Sequence, residues 1–201
     1  MFTRSALRRT EAKLALAGLT ALLLALTLLL AVSARPAHAC LFTTYPGKDS
    51  FAAAPPLADS ETCGSPGAPT RGNTSTATME VGEPQPHSST KDCGILGISK
   101  SVWWKVQVPS RYGSNGAYLR LSTGGSSFDT VLAVYQGSSL TSLQQVACSN
   151  DNSLPNWNEP LIERLNSGQT YYVQLSGTGG ARSGSYSLLS TWRTGAQVAG
   201  F

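Results

Sequence analysis

From Ser101 onward the chain consists of short segments in which apolar and polar residues alternate, and this pattern constrains the fold most. In the first segment one side carries Val102, Trp104, Val106 and Val108, and the other side carries Trp103, Lys105 and Gln107. A repeat of two residues predicts a β-strand with one buried face. Similar runs, separated by Gly, Ser and Asn clusters, follow at Ala117–Ser122, Thr130–Gln136, Leu143–Ser149, Leu161–Leu165, Thr170–Ser176 and Ser185–Trp192. This spacing is typical of an antiparallel sandwich or barrel.

Helices contribute little to the expected fold. No window after residue 39 shows the three- and four-residue spacing of an amphipathic helix over three turns, which argues against parallel βαβ folds. Residues 40–97 are rich in Pro, Gly, Ser and Thr, so regular structure there should be sparse. Within them we predict a helical turn at Ser50–Ala54 and a strand at Ala77–Val81. These features predict an all-β fold, an antiparallel sandwich or barrel of about eight strands.

The first 39 residues have the features of an export signal. A basic start precedes an uncharged run from Leu14 to Val32 and the small-residue site Ala37-His38-Ala39. We predict a signal peptide at 1–39, a short segment at 40–48, the sandwich domain at 49–192 and a tail at 193–201. Two alternatives stay open: an uncleaved leader, since about 20 apolar residues span a bilayer, or a lipid on Cys40.

Charge argues against nucleic acid as a partner. Of the 15 Lys and Arg residues five lie in residues 1–39, and of the 11 Asp and Glu residues one lies there. Residues 40–201 therefore carry ten basic and ten acidic groups, a balance of zero. Because these charges are spread singly along the chain, no basic stripe is expected. Membrane contact is expected only through an uncleaved leader or a lipidated Cys40.

The cysteines predict disulfides. All four of them, Cys40, Cys63, Cys93 and Cys148, follow the leader. An even number in an oxidising compartment predicts two bridges, but four cysteines allow three pairings and the spacing does not choose among them. The wide spacing matches no compact zinc motif, so zinc is not expected.

One set of oxygen-bearing residues is a candidate calcium site. Asp129, Asn150, Asp151 and Glu83 could supply part of the six to eight oxygens that calcium requires as a structural ion. For Asp129 the simpler interpretation is a local bond to backbone amides at the entry to a strand. The sequence favours that interpretation.

Trp157 is the candidate for ligand contact. It stands between Asn156 and Asn158, where the polarity of the loop predicts an exposed ring. The ring could stack on a sugar or insert into a partner. The alternative, that it folds back over the edge of the sandwich, is the simpler one.

Catalysis is not expected. His87, the one histidine after the leader, lies in a Pro-bounded loop with no orienting carboxylate near it in the sequence. A hydrolase that uses His87 or a pair of carboxylates stays open as an alternative, because the members of such sites meet only in space.

Five segments stand in an order that points to a known family. They are Gly82-Glu83-Pro84, Ser101–Val106, Ser127–Gly137, Val146–Asp151 and Ser167–Val173. From about Asp49 to Leu189 this order resembles the bacterial pre-peptidase C-terminal (PPC) domain and its secreted relatives. The resemblance implies a jelly-roll-like sandwich that accompanies exported proteins, sometimes binding polymers such as collagen and sometimes calcium. Asn152 departs from the family, in which a second acidic residue is common there, and this weakens the calcium set.

The resemblance also implies a disulfide pairing. In relatives a cysteine shortly before the Val-Trp strand often accompanies the one before the Asn-Asp turn. Here these are Cys93 and Cys148, which leaves Cys40 for Cys63.

These features predict a secreted, non-catalytic binding or accessory module for extracellular protein or glycan polymers. No cofactor other than calcium is expected. A structural cell-envelope protein, anchored by the leader or by Cys40, is the further alternative. The predicted core consists of the apolar members of the alternating runs: Val102, Trp104, Val106, Leu119, Leu121, Leu132, Val134, Val173 and Leu175.

Overall fold

The computed structural model describes residues 46–58, 69–86, 93, 97–150, 160–179 and 182–200. Within these residues eight strands form two four-stranded antiparallel sheets. The strands are β1 (Thr70–Asn73), β2 (Ile98–Gln107), β3 (Ala117–Ser122), β4 (Thr130–Gln136), β5 (Gln144–Asn150), β6 (Leu161–Leu165), β7 (Thr170–Thr178) and β8 (Ser185–Arg193). Short 3₁₀ turns lie at Phe51–Ala53, Ser110–Asn115, Leu140–Ser142 and Gly195–Gly200. None of the helical segments in the described ranges could cross a membrane.

The strand order is that of a jelly roll. Sheet I has the order β1-β8-β3-β6, and sheet II has the order β2-β7-β4-β5. Each of β1 to β4 pairs antiparallel with its counterpart from the second half of the chain, β1 with β8, β2 with β7, β3 with β6 and β4 with β5. A long hairpin wound over itself gives this pairing. The all-β sandwich prediction is confirmed.

The main core lies between the inner faces of the two sheets. All nine residues predicted from alternation belong to it, and each is at most 3% exposed. Tyr186, Leu188 and Trp192 of β8 complete it from sheet I. The two-residue alternation therefore identified the inward-pointing face of sheet II correctly.

Trp103 corrects the prediction that β2 is buried on one face only. Its side chain points away from the main core and is 0% exposed. A second cluster covers it there, in which Phe51 packs edge-on at 5.4 Å and Tyr135 lies 5.8 Å away between ring centroids. Only Lys105 and Gln107, further along β2, are exposed as expected. Sheet II is therefore buried on both faces around Trp103.

The segment before β1 covers the β2 edge of sheet II. Backbone bonds join Trp103 N to Lys48 O at 2.8 Å, Lys105 N to Pro55 O at 2.8 Å and Leu57 N to Lys105 O at 2.8 Å. This pairing satisfies backbone groups of an edge strand that could otherwise template aggregation. The helical turn predicted in this segment is present at Phe51–Ala53.

One prediction in the loop-rich part is wrong. Ala77–Val81 is not a strand, because its backbone bonds to carboxylates: Thr78 N donates to Asp49 Oδ1 at 2.6 Å and Glu80 N to a Glu83 oxygen at 3.0 Å. The strand lies earlier, at Thr70–Asn73, where the sequence does not alternate. Gly72 is required there because a Cβ would overlap the Tyr186 ring.

Candidate functional site

A buried carboxylate lies on the outer face of sheet II. Glu83 is 9% exposed, in the turn that follows Gly82 (φ +91°). Ser101 Oγ donates to Glu83 Oε2 at 2.5 Å, Gln174 Nε2 donates to the same oxygen at 3.3 Å, and Trp103 Nε1 donates to Oε1 at 3.3 Å. With the backbone amide of Glu80, four donors converge on one carboxylate. Such a set stabilises a buried negative charge without an ion.

Tyr135 extends this network across the sheet. Its hydroxyl donates to Gln174 Oε1 at 3.0 Å, which fixes the Gln174 amide with its nitrogen toward Glu83. Burial, and then the negative charge of Glu83, raise the pKa of Tyr135 above its ordinary value. The hydroxyl is thus a proton donor throughout the neutral range. The geometry describes a structural polar network enclosed by the chain.

Replacing Glu83 tests the energy of this network. Glu83→Gln puts an amide nitrogen among donors, so we expect the free energy of unfolding to fall by about 1–3 kcal/mol in urea denaturation. In a double-mutant cycle, Glu83→Gln and Ser101→Ala should show a coupling energy of about 0.5–3 kcal/mol. As a control, the effects of Glu83→Gln and Gln107→Ala on the free energy of unfolding should be additive, because Gln107 is exposed and lies on β2, the strand that carries Ser101. If the effects of Glu83→Gln and Ser101→Ala on the free energy of unfolding are additive, the network is contradicted.

The predicted calcium ligands are not brought together as one described group. Glu83 is occupied by its four donors, and Asp151 lies outside the described residues. Asn150, 8% exposed, ends β5. In the ranges that the structure describes, no three His, Cys, Asp or Glu side chains cluster as metal ligands.

Asp129 differs from Glu83 in having one buried oxygen without a hydrogen-bond partner. Its Oδ2 accepts the Thr178 hydroxyl at 2.9 Å and lies 4.0 Å from Arg182. Its Oδ1 is buried without a hydrogen-bond partner. The same is true of Ser176 Oγ, which lies on the same face of β7 as Thr178. Since Asp129 contacts Thr178 across the sheet, the favoured interpretation of a purely local Asx bond is wrong. Calcium at Asp129 stays a prediction.

The disulfide lies beside the same outer face. Cys93 and Cys148 are bonded, with their Cα atoms 6.0 Å apart, which confirms the pairing implied by the PPC resemblance. Both cysteines belong to the cluster around Trp103. A disulfide indicates folding in an oxidising environment. The outer face of sheet II is therefore covered around Trp103 and covalently tied there.

The outer face of sheet I has a different character. Register places Tyr118 on β3 directly between Arg164 on β6 and Arg193 on β8, and Arg120 is the next outward residue of β3. We call Tyr118, Arg120, Arg164 and Arg193 the arginine cluster. Arg164 is exposed and the other three are partly exposed. Although the charges are spread singly along the sequence, pairing of distant strands brings three arginines to this face.

Several predicted residues lie outside the described part of the chain. They are His87, Trp157, Cys40 and Cys63. Sequence analysis missed the donors around Glu83 and the arginine cluster. Alternation alone could have placed Tyr118 and Arg120 on one face of β3, but their neighbours depend on which strands pair.

Comparison with known proteins gives little. No family model matches the chain, and no curated protein matches it. Among solved structures, the crystal structure of the Yersinia pseudotuberculosis-derived mitogen is similar at 10% identity, over 47% of this chain and 83% of that chain, with a TM-score of 0.26. A similarity this weak carries no argument about function. The resemblance to the PPC family stays a prediction.

Proposed function

We propose that the protein is a secreted, non-catalytic module that binds an extracellular polymer through the outer face of sheet I. The observation that carries this proposal is the difference between the two outer faces. Around Trp103 the face of sheet II is covered by Phe51 and tied by the disulfide at Cys93. The face of sheet I presents exposed and partly exposed polar side chains around Tyr118.

The composition of this face suits contact with a polymer. The outward positions of β3 and β8 include Ser122 and Thr191, which can donate and accept hydrogen bonds, and Tyr118, which offers an apolar ring and a hydroxyl. A flat sheet face can follow an extended chain over several strands. The export signal predicted at 1–39 and the disulfide support a location outside the cytoplasm.

A binding array tests the proposal. The protein is applied to extracellular glycans and matrix polymers, with calcium and with a chelator, and released reducing ends or peptides are measured in parallel. We expect retention on at least one polymer, loss of retention for Tyr118→Ala, and no release of products. Gln107→Ala, on the exposed end of β2, is the control and should bind as the wild type does.

Two results would overturn the proposal. One is the absence of binding to every polymer by a folded protein. The other is product release that depends on His87 or a carboxylate, which would favour the hydrolase alternative.

A further inference from the structure

The connection between β2 and β3 ends in an asparagine followed by a glycine, Asn115-Gly116. The sequence contains this pair once. Asparagine cyclises most readily when glycine follows it, because glycine has no Cβ to hinder the approach of its backbone nitrogen to the asparagine side chain. Asn115 is exposed at the end of the 3₁₀ segment Ser110–Asn115. The pair is therefore accessible to water and open to chemical modification.

The fold requires the glycine of this pair. Gly116 has a φ of +73°, and a Cβ on it would lie 2.3 Å from Leu165 O. The close approach arises because Ala117, the first residue of β3, is paired with Leu165, the last residue of β6. A residue with a side chain would strain the backbone and overlap β6. The strand pairing of sheet I therefore imposes the residue that makes cyclisation easy.

Arg164 is hydrogen-bonded to the peptide group that would react. Its Nη2 donates to Asn115 O at 2.7 Å. This oxygen belongs to the same peptide group as the nitrogen of Gly116. When that nitrogen loses its proton, the negative charge is shared with the oxygen, and a guanidinium bonded to the oxygen stabilises it. Arg164 therefore makes the Gly116 nitrogen easier to deprotonate and more readily available as a nucleophile.

We propose that Asn115-Gly116 is a self-modifying site, at which the chain cyclises and is then hydrolysed with the help of Arg164. The deprotonated nitrogen of Gly116 attacks Asn115 Cγ and a C–N bond forms. The side-chain nitrogen takes up a proton from water and leaves as ammonia. Water then opens the cyclic imide at either of its two carbonyls. The net reaction is hydrolysis of an amide to a carboxylic acid and ammonia, without a redox step, and it does not rest on the proposed function.

The two products differ in where they place the new carboxylate. Opening at Cγ gives aspartate, with the carboxylate on the side chain. Opening at the former main-chain carbonyl gives isoaspartate, in which the chain continues through Cγ and the oxygen that accepts Arg164 becomes part of a free carboxylate. The neutral acceptor of Arg164 is then an anion. Because Arg164 is paired with Tyr118, this change adds a negative charge at the outer face of sheet I.

Asn166 provides a control within the same part of the fold. It is also exposed and also bonded to Arg164, but through its side-chain Oδ1, at 3.4 Å from Nη1. Ser167 follows it, and the Cβ of Ser167 hinders the approach of the backbone nitrogen to the Asn166 side chain. We expect Asn166 to stay unmodified over the period in which Asn115 reacts.

Peptide mapping by mass spectrometry tests the inference. The folded protein is incubated in mildly alkaline buffer, and the fractions of cyclic imide, aspartate and isoaspartate at position 115 are followed with time. We expect wild-type protein to be modified at Asn115 and not at Asn166. Arg164→Gln should react about tenfold more slowly, the factor for losing one charge-assisted hydrogen bond. Arg164→Lys, which keeps the charge, should recover part of the rate, and Arg71→Gln, an exposed arginine on β1, should react as the wild type does.

The same measurement in urea separates the effect of the fold from that of the sequence. In the unfolded chain Arg164 is not held against Asn115, so the wild type and Arg164→Gln should be modified at equal rates. Equal rates in the folded proteins, or a difference that persists in urea, would overturn the role of Arg164. Modification of Asn115 in urea alone would overturn the site, because the fold would then protect the pair. None of these outcomes depends on whether the protein binds a polymer.

Discussion

Trp104→Ala is expected to lower the free energy of unfolding by about 3–5 kcal/mol, the range for removing a fully buried large aromatic side chain. Trp104 is 0% exposed, and its ring meets the Tyr186 ring edge-on at 5.5 Å between centroids. A Cβ at Gly47 would lie 2.7 Å from the same ring, so the chain packs against Trp104 closely. The surrounding residues have little room to move into the cavity, so the expected loss of unfolding free energy lies in the upper part of the range.

Urea denaturation, followed by tryptophan fluorescence and by far-UV circular dichroism, measures this effect. Gln107→Ala on the same strand is the control, and its free energy of unfolding should stay within about 0.5 kcal/mol of the wild type. A loss below about 1 kcal/mol for Trp104→Ala would mean that the site between the sheets is not packed as described.

Removing the disulfide is expected to cost about 4 kcal/mol in the Cys93→Ala, Cys148→Ala variant. The bridge closes a loop with a sequence separation of 55 residues. In the chain-entropy account a loop of this length restricts the unfolded chain by about that amount. Because β2, β3, β4 and most of β5 lie inside the loop, the bridge limits the unfolded chain over half of the sandwich.

The slope of unfolding free energy against urea concentration distinguishes an effect of the disulfide on the unfolded chain from a loss of packing in the folded protein. If the bridge acts through the unfolded state, the double variant should unfold with a steeper dependence on urea, because its unfolded chain exposes more surface. A matched variant, Ala133→Gly, removes one buried methyl group opposite Cys148 and should leave the slope unchanged. An unchanged slope in the cysteine variant, with a loss below about 1 kcal/mol, would contradict the prediction.

Local alternation was sufficient to predict the strands and the inner core. β3, β4 and β6 begin and end at the predicted residues, and the 3₁₀ turn at Phe51–Ala53 lies within the predicted helical turn. The reason is physical: a two-residue repeat places every second side chain on one face, and that rule needs no knowledge of the neighbouring strand. The same rule fails for Thr70–Asn73, a strand whose place is set by its partner β8.

Contacts between distant segments decided the rest. Trp103 is buried because Phe51 and the disulfide cover a face that alternation treats as open. Glu83 is enclosed because donors from β2 and β7 reach one turn. Tyr118 lies between two arginines because β3 is paired with both β6 and β8. Alternation along the chain thus fixes which residues point to each side of a strand, whereas the pairing of strands fixes what each outer face meets, since strand order is a property of the whole chain.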